Sequence, residues 1–561
     1  LIGYHPRRIG LSATIGDVRL ASEWLGAGSG RETIAPLPPK TPLKWRLGLE
    51  HFYTQNDSEI QVHRKELLAS PTEDRGGVAR LDPGYEFLYD AVYGKKALVF
   101  SNSREETEYV TATLRQIARA RSDDDVFLIH HGNLSASLRE DAEAKMKDED
   151  VLRAVTCATV TMELGIDIGD LDLVVQFGPP LSAASFLQRL GRTGRRDKPS
   201  RMVFILQNPC ELLITSAAVE SAMQHKSESL KPPKYPADVL AHQLLILLKG
   251  RMGLGKRQII SSLLALTPFS KIPTDTIEEI LSYMEEQGYL SRSGDLYLLG
   301  EKAEAEFGKS NWKALISVIQ DTGGYLAVLP DGTVIGTLDA RFVAGDPGRV
   351  FTFTGKTWRL LHRDDVHRRA LIEPSSASRG LKRPFWGGSG SSAGLSELIC
   401  LGVSEIISRR RTLLPLPENE AEMLEDLILG LPDDITPGKL HIRTEPEVNG
   451  WSVVVSTFAG ETVNRVIAYL LRQNLSGRHE FKITPFAVRI FGFENPDAGY
   501  DVSRALIEIS SSPNSFEDLP TLPDNLWKFS VCLPADVKKE MAKAGYYQTD
   551  RVREILSGLD F

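Results

Sequence analysis

The residues with the most specific chemistry are the arginines of segment 188–196, Gln-Arg-Leu-Gly-Arg-Thr-Gly-Arg-Arg. Arg189, Arg192 and Arg195 recur at every third position and therefore share one side of a helix or helical turn. A guanidinium group keeps its charge and presents a planar fork of donors that fits phosphate oxygens. The two glycines between the arginines leave room for close approach to a partner surface. We therefore predict a polyphosphate site, in which an arginine can stabilise the charge of phosphoryl transfer; the alternative is a solvated basic helix end.

Three further groups of candidate residues follow predicted strands at 97–100, 126–129 and 154–157. Ligands of α/β proteins bind at the carboxyl ends of parallel strands, where these residues would lie. A glycine in such a loop lets the backbone approach a ligand, and an aspartate can accept a hydrogen bond from a ribose hydroxyl. The candidates in chain order are Ser101, Asn102 and Arg104; His131 and Gly132; and Thr159, Gly165 and Asp167.

Each group also has an ordinary structural explanation. Ser103 is a suitable helix N-cap, and Gly165 and Asp167 can end one helix and begin the next. His130 and His131 have no carboxylate or cysteine in register, so zinc is not indicated. For these histidines a contact with a nucleic-acid backbone and plain loop packing both remain open.

The composition is that of a soluble globular protein with several domains, since 561 residues contain 42% hydrophobic and 25% charged residues. We find no apolar run long enough to span a bilayer and no signal peptide, so we expect no membrane association. The four cysteines lie far apart, which fits a reducing cytoplasm and disfavours structural zinc. A net charge of −8 disfavours a nucleic-acid binder that uses its whole surface, but it allows a local basic groove.

Periodicity predicts an α/β protein with several successive domains. Short apolar strands alternate with helices over residues 85–212, which indicates a parallel sheet. A proline-containing linker at 213–236 precedes three helices and a hairpin at 237–308, the pattern of a winged helix. We expect a β-rich domain or small β-barrel at 309–394 and a mixed α/β region at 395–561.

Four short motifs occur in an order that is more specific than any one of them. They are Ser12-Ala13-Thr14, the segment 98–104 (Leu-Val-Phe-Ser-Asn-Ser-Arg), Gly165-Ile166-Asp167, and the segment 188–195. They resemble motifs III, IV, V and VI of superfamily 2 helicases. The domain at 85–212 is thus similar to the second RecA-like domain of such a helicase. The resemblance implies that 1–30 is the remnant of a first RecA-like domain and that 31–84 is a connector.

The downstream half resembles the large helicase-related (Lhr) family. The resemblance rests on the winged helix, on segment 351–358 (Phe-Thr-Phe-Thr-Gly-Lys-Thr-Trp), on 383–388 (Arg-Pro-Phe-Trp-Gly-Gly) and on 457–465 (Thr-Phe-Ala-Gly-Glu-Thr-Val-Asn-Arg). Family members more often have histidine at the position of Asn464. The resemblance extends to about residue 510, and the final residues match weakly.

What the Lhr resemblance implies is ATP-driven 3′-to-5′ translocation on single-stranded DNA, with unwinding of DNA or RNA:DNA duplexes, in a cytoplasmic enzyme of DNA repair. Trp386 would stack on a base, a contact worth about 1–3 kcal/mol; the alternative is a buried tryptophan. The implied roles are Arg192 and Arg195 as arginine fingers with Gln188 positioning water or phosphates; Gly165, Asp167 and Arg189 for ATP; Ser12, Ala13 and Thr14 for coupling of the two lobes; and Ser101, Asn102, Arg104, His131, Gly132, Thr159 and Trp386 for nucleic acid.

The chain departs from a complete helicase in one respect. It contains no Gly-x-x-x-x-Gly-Lys-Ser/Thr loop for phosphates and no acidic Asp-Glu-x-His/Asp box for magnesium. We expect both motifs, and with them the main ligands of ATP and Mg²⁺, upstream of residue 1, and no metal ligands within this chain. Segment 250–257 has the wrong spacing for the phosphate loop. The sequence thus leaves two hypotheses, an ATP-dependent helicase in its complete form and an ATPase-inactive module that binds single-stranded nucleic acid.

Overall fold

The computed structural model of the chain describes residues 7–12, 14–36, 44–52, 83–163, 168–194, 199–249, 251–308, 312–319, 324–343, 348–365, 367–375, 394–512, 514–522 and 527–558. The chain divides into two compact units. One comprises residues 39–228 and 322–437, and the other comprises 1–38, 229–321 and 438–561. None of the described helices is long and apolar enough to cross a lipid bilayer.

One helix and one strand precede the predicted sheet domain. Helix α1 (Val18–Gly26) begins after Asp17, whose carboxylate accepts a hydrogen bond from the Leu20 N–H and so caps the helix. Strand β1 (Trp45–His51) pairs in parallel with a strand that begins at Ser200. The predicted connector at 31–84 therefore contains a strand of the sheet, which differs from the sequence prediction.

The α/β domain is a six-stranded parallel sheet, which confirms the predicted fold class. Its strand order is β1-β6-β5-β2-β4-β3. The three central strands β5, β2 and β4 are buried along their whole length, as expected where helices cover both faces. The remaining elements in chain order are α2 (Pro83–Val92), β2 (Lys96–Phe100), α3 (Arg104–Arg121), β3 (Phe127–His130), α4 (Ala136–Lys147), β4 (Ala154–Ala158), β5 (Leu173–Phe177), α5 (Ala183–Leu190), β6 (Ser200–Leu206) and α6 (Pro209–Met223).

The domain continues past the predicted boundary at residue 212. Helix α6 begins after Asn208, whose side chain accepts from the Glu211 N–H, and most of the helix is buried. The predicted linker at 213–236 is thus helical up to Met223, over nearly half of its length, because the apolar and small residues of α6 supply a packing face.

The winged-helix prediction agrees with the structure. The hairpin turns at Gly294, whose φ of +60° favours glycine. Lys256 pairs with Glu278, so the lysine of segment 250–257 is held by a carboxylate of the same domain. The elements are α7 (Ala237–Leu248), β7 (Leu254–Gly255), α8 (Lys256–Leu264), α9 (Thr274–Glu286), β8 (Leu290–Ser293), β9 (Leu296–Leu299) and α10 (Glu301–Phe307).

The β-rich region is a five-stranded sheet in the order β11-β10-β14-β13-β12. Its core includes Ile129 and Leu134 of the α/β domain, so the two regions share one compact unit and are not separate domains. The elements are β10 (Gly324–Val328), β11 (Val334–Asp339), α11 (Ala340–Val343), β12 (Val350–Phe353), β13 (Lys356–Asp364) and β14 (Arg369–Pro374).

The predicted C-terminal region at 395–561 is divided between the two units. Helices α12 (Glu397–Arg409) and α13 (Glu418–Leu429) belong with the α/β domain, where Gly402 permits close packing: a Cβ there would lie 3.3 Å from that of Ala217. The remainder forms an antiparallel sheet in the order β15-β16-β18-β17 with helices on its apolar face. Its elements are β15 (His441–Glu447), β16 (Gly450–Ser456), α14 (Glu461–Asn474), β17 (Glu480–Ile483), β18 (Ala487–Phe493), α15 (Ala498–Ser511) and, after the next helix, α17 (Thr549–Ser557). That intervening helix, α16 (Ala535–Met541), packs into the winged-helix core through Val537 and Met541.

Candidate functional site

The arginine segment begins inside a helix and continues beyond its end. Helix α5 starts after Ser182, whose hydroxyl accepts from the Ser185 N–H, and it ends at Leu190 with Gly191 as its C-cap. Arg189 therefore lies in the last turn of the helix, whereas Arg192 follows the cap. Gln188 and Arg192 are half-buried, and Arg189 is buried. Arg195 lies outside the described residues.

Arg189 is an internal residue of the α/β domain, with 3% of it exposed. Its Nε donates to Glu163 Oε1 at 2.6 Å, its Nη1 donates to Gln176 Oε1, and its guanidinium lies 4.9 Å from the centre of the Phe100 ring. Burial lowers the pKa of Arg189, and the nearby Glu163 carboxylate opposes that shift. The prediction that Arg189 binds ATP is corrected, because its donors are directed at partners within the protein.

Glu163 connects the two arginines. Its carboxylate accepts from Arg189 and, at 2.7 Å, from the Ser185 hydroxyl, while its backbone carbonyl accepts from Arg192 Nη2. Glu163 immediately precedes segment 164–167, which contains the predicted ATP ligands Gly165 and Asp167 and lies outside the described residues. Glu163 thus ties the arginine segment to the loop that follows β4.

Glu163 and Gln176 are site residues that were not predicted from the sequence. Gln176 is fully buried in the otherwise apolar strand β5, and its amide also donates to Asn102 Oδ1 at 3.4 Å. A polar residue within a buried strand needs a hydrogen-bonding partner, so Gln176 was a detectable signal. For Glu163 the sequence offered a weaker signal, namely that this carboxylate stands next to a predicted ligand loop.

Gly194 serves the protein's own packing rather than a partner surface. Its φ is +80°, and a Cβ there would lie 2.3 Å from Ser200 Oγ. The neighbouring Thr193 hydroxyl accepts from the Arg201 N–H at 2.8 Å. The turn after α5 is therefore pinned to the start of β6, which fixes the path of the backbone that carries Arg192.

At the carboxyl end of β2, Asn102 and Arg104 lie in different environments. Asn102 donates to the Pro179 carbonyl at 2.8 Å and is half-buried, so it links this loop to the one that precedes α5. Arg104 is half-buried at the start of α3, makes no hydrogen bond or ion pair with a described residue, and has a pKa lowered by burial. An anionic ligand would compensate such a cation.

Ser101 is 1% exposed, so the prediction that it contacts nucleic acid is corrected. Its hydroxyl has no hydrogen-bonding partner in the described part of the chain. Ser101 directly follows strand β2 in the interior, where its backbone N–H donates to the Ala158 carbonyl at 3.0 Å.

His131 is completely buried, which corrects its predicted contact with nucleic acid. Its Nε2 lies 2.9 Å from Glu108 Oε1. The same carboxylate accepts from the N–H groups of Thr354 and Gly355, each at 2.8 Å. Of the two interpretations left open by the sequence, the structure favours packing: His131 and Glu108 fasten the β-rich region to α3.

The other residues predicted to contact nucleic acid occupy mixed positions. Gly132 is exposed, and a side chain there would meet nothing within 4 Å, so its backbone is open to a ligand. Thr159 is mostly buried and follows β4, with its N–H donating to the His130 carbonyl at 3.3 Å. Trp386 lies outside the described residues.

Ser12 and Thr14 form a local turn in the other unit. The exposed Ser12 hydroxyl donates to the Thr14 carbonyl at 2.9 Å and accepts from the Thr14 N–H at 3.3 Å. Ala13 lies outside the described residues. The coupling role of this triplet remains a prediction.

Two family models match the chain. Residues 84–197 match the helicase conserved C-terminal domain, and residues 220–381 match the winged-helix domain of large helicase-related proteins. The first match contains α5 and the whole Glu163 network.

Curated relatives are longer proteins. The Lhr helicase/uracil glycosylase of Escherichia coli is 25% identical over 523 residues, which cover 83% of this chain and 33% of the relative. The ATP-dependent helicase Lhr-Core of Saccharolobus solfataricus is 27% identical over 365 residues, which cover 63% of this chain and 39% of the relative. The chain thus spans about two fifths or less of the length of these relatives.

A solved structure of similar fold is that of Mycobacterium smegmatis helicase Lhr bound to ssDNA and AMP-PNP. It superimposes with a TM-score of 0.61 at 18% identity and covers 98% of this chain and 70% of that one. At this level of identity the likeness concerns the fold alone.

Proposed function

Because the chain belongs to the large helicase-related family of superfamily 2 helicases, we propose that it supplies the second RecA-like lobe of an ATP-dependent helicase. In this proposal the motor moves 3′-to-5′ along single-stranded DNA and unwinds DNA or RNA:DNA duplexes. The relatives named above support a helicase, since both are named as Lhr helicases, and the Saccharolobus solfataricus relative is named as ATP-dependent. ATP would bind at the carboxyl edge of the six-stranded sheet, between this lobe and a first RecA-like lobe.

The observation that carries the proposal is the convergence of Arg189 and Arg192 on Glu163. Arg189 is neutralised by the Glu163 carboxylate in the interior, so it acts as a positioning residue. Arg192 is held through one nitrogen by the Glu163 carbonyl, and we assign it the role of arginine finger toward the γ-phosphate. A cation fixed before the reaction stabilises the developing charge without a reorganisation cost. Arg195 as a second finger, Gln188 as the group that positions water, and Gly165 and Asp167 as nucleotide contacts complete the proposal.

Nucleic acid would lie along the loops that follow β2, β3 and β4. Arg104 would contact a backbone phosphate, and Asn102, Gly132 and Thr159 would line the same edge. Trp386 would stack on a base. Arg104 is the most informative of these, because its partly buried charge has no counter-ion among the described residues.

Magnesium is assigned to no residue of this chain. The described residues contain no cluster of three or more histidine, cysteine, aspartate or glutamate side chains that could hold a metal ion. The chemistry that we assign to this chain is the positioning of arginines.

The alternative function is a module that binds single-stranded nucleic acid without hydrolysing ATP. It rests on the partly buried cation of Arg104, which has no counter-ion among the described residues. Both functions require nucleic-acid binding that weakens steeply as the salt concentration rises. They differ in whether Arg192 affects ATP turnover.

The test is the substitution Arg192→Ala in a helicase that carries this chain together with a first RecA-like lobe. We expect DNA-stimulated ATP turnover to fall by about 10³-fold or more, since that is the usual contribution of an arginine finger. Single-stranded DNA affinity should stay unchanged.

The matched control is Arg410→Ala. Arg410 also donates to backbone carbonyls, those of Leu429, Leu431 and Pro432, but it does so at the end of α13. Undiminished turnover in Arg192→Ala would contradict the finger assignment. The chain by itself should show no measurable ATPase; a DNA-stimulated ATPase of the isolated chain that disappears with Arg192→Ala would exclude the alternative.

A further inference from the structure

The start of helix α5 is held by a carboxylate from a distant part of the chain. Glu228 Oε1 accepts from the Ala183 N–H and Glu228 Oε2 accepts from the Ala184 N–H, both at 2.9 Å. The first N–H groups of a helix have no partner within the helix, and the helix dipole favours a negative charge beside them. Glu228 supplies both the acceptors and the charge. Ser182, the N-cap, satisfies only the Ser185 N–H.

The same carboxylate also contacts the start of a second helix. The Ser396 hydroxyl donates to Glu228 Oε1 at 2.7 Å, and Ser396 is the N-cap of α12. The Ser396 N–H donates to the Leu181 carbonyl at 2.9 Å. Glu228 and Ser396 thus tie the start of α5 to α12, which packs along α6.

We propose that Glu228 is a positioning residue for phosphoryl transfer, because it fixes where helix α5 presents the arginines at its other end. This inference rests on the proposed function. An eight-residue helix is a stiff rod about 12 Å long. A displacement at Ala183 and Ala184 is therefore passed to Arg189 and to the turn that carries Arg192.

The position of Glu228 in the chain adds to its significance. It is the last residue of its compact unit before the chain continues into residues 229–321, which contain the winged helix. A force on the chain at this point acts directly on the hydrogen bonds between Glu228 and the start of α5, which we call the clamp. Glu228 therefore links the point at which the chain leaves this unit to the helix of the arginine segment through two hydrogen bonds.

The first test is Glu228→Gln in the two-lobed helicase. An amide has one oxygen where the carboxylate has two, and its NH₂ group would face one of the two backbone N–H groups, so glutamine cannot offer a separate oxygen to Ala183 and to Ala184. We expect kcat for ATP to fall about ten- to a hundredfold, with KM for ATP and DNA affinity unchanged, because misplacement by about 1 Å has costs of this size.

The matched control is Glu220→Gln. Glu220 is a buried glutamate of the same unit, and in the described part of the chain its carboxylate accepts hydrogen bonds from Arg409, Thr412 and Leu413 instead of from the start of α5. A purely structural role predicts that both variants lose stability and keep kcat per folded molecule. A reduced kcat in Glu228→Gln alone supports positioning, and an equal kcat in both variants overturns it.

A second measurement uses the chain by itself and needs no ATPase. Hydrogen–deuterium exchange at the Ala183 and Ala184 amides should become faster in Glu228→Gln and in the milder Ser396→Ala, but not in Glu220→Gln. Unchanged exchange would overturn the clamp even if Glu228→Gln folds poorly in the helicase. If Arg192→Ala retains full turnover while exchange responds as expected, the proposed function fails and the clamp stands.

Discussion

The α/β unit contains two buried acid–base pairs that differ in what they hold. Glu108 and His131 lie beyond the edge strand β3 and fasten the hairpin of the β-rich region through Thr354 and Gly355. Glu163 and Arg189 lie beside the central strands β5 and β2 and fasten the turn that carries Arg192. Both pairs look equally polar in the sequence. The first is a joint between two packed regions, whereas the second holds the turn that carries Arg192, which we propose as the arginine finger.

The largest effect expected from this difference is that of Glu163→Ala. It leaves the buried Arg189 charge without a counter-ion, with the neutral Gln176 amide as its remaining described acceptor, so we expect a loss of about 3–5 kcal/mol in the free energy of unfolding. Urea unfolding measures that loss, and ATP turnover of the remaining folded protein should vanish as well. Adding Arg189→Leu should restore much of the stability, because no buried charge is left, but not the turnover. A single-variant loss below about 1 kcal/mol would contradict the interior pairing.

A smaller effect is expected at the other pair. Glu108→Ala leaves the buried N–H groups of Thr354 and Gly355 without an acceptor, and we expect a loss of about 2–3 kcal/mol by urea unfolding. Turnover and DNA affinity per folded molecule should stay at the wild-type level. A selective loss of DNA affinity in this variant would indicate that His131 and its neighbours contribute to nucleic-acid binding. It would contradict the distinction between the two buried pairs.

The smallest effect concerns pH. Burial lowers the pKa of His130 below its ordinary value of 6.5, although its hydrogen bond with Glu143 opposes the shift. The unfolded chain therefore binds this proton more readily, and the His130 contribution to stability is full above pH 6.5 and is lost as the pH falls below it. His130→Gln should reduce the loss of stability between pH 7 and 5.5. Urea midpoints at both values measure this, and equal pH dependence in both proteins would contradict the shift.

Regular elements were predictable where the pattern is local. The alternation of apolar strands and helices predicted the parallel sheet, and three helices with a Gly294 turn predicted the winged helix. Strand β1 was missed because its partner β6 begins at Ser200, far along the chain, and because Arg46 and Glu50 interrupt its apolar character. Parallel pairing across such a separation leaves no signal in a short window.

Residue types predicted which side chains belong to the candidate site, but they did not predict which of those side chains are buried. Arg192 remained a candidate, whereas Arg189 and His131 became internal because of Glu163, Gln176 and Glu108, which no local spacing connects to them. Burying a charged side chain is costly unless a partner is buried with it, and here those partners come from distant parts of the chain.

Asn464 illustrates the same point at a position where the family more often has histidine. It is completely buried, accepts from the Thr457 hydroxyl and donates to the Thr484 carbonyl. An asparagine amide offers both an acceptor and a donor, so it satisfies two neighbours of opposite character. The substitution that looked like a departure is accommodated within the packing of α14.

Strand β1 has a consequence for isolating the α/β domain. The match to the helicase C-terminal domain begins at residue 84, so a piece trimmed there would lack residues 45–51. β6 would then present unpaired backbone N–H and C=O groups along its length, an edge that readily recruits a strand from another molecule. In the whole unit β1 fills that edge, and His51 of β1 is bonded in turn to Glu420 of α13 at 2.6 Å. A trimmed domain should therefore self-associate, while one that begins before Trp45 should stay monodisperse.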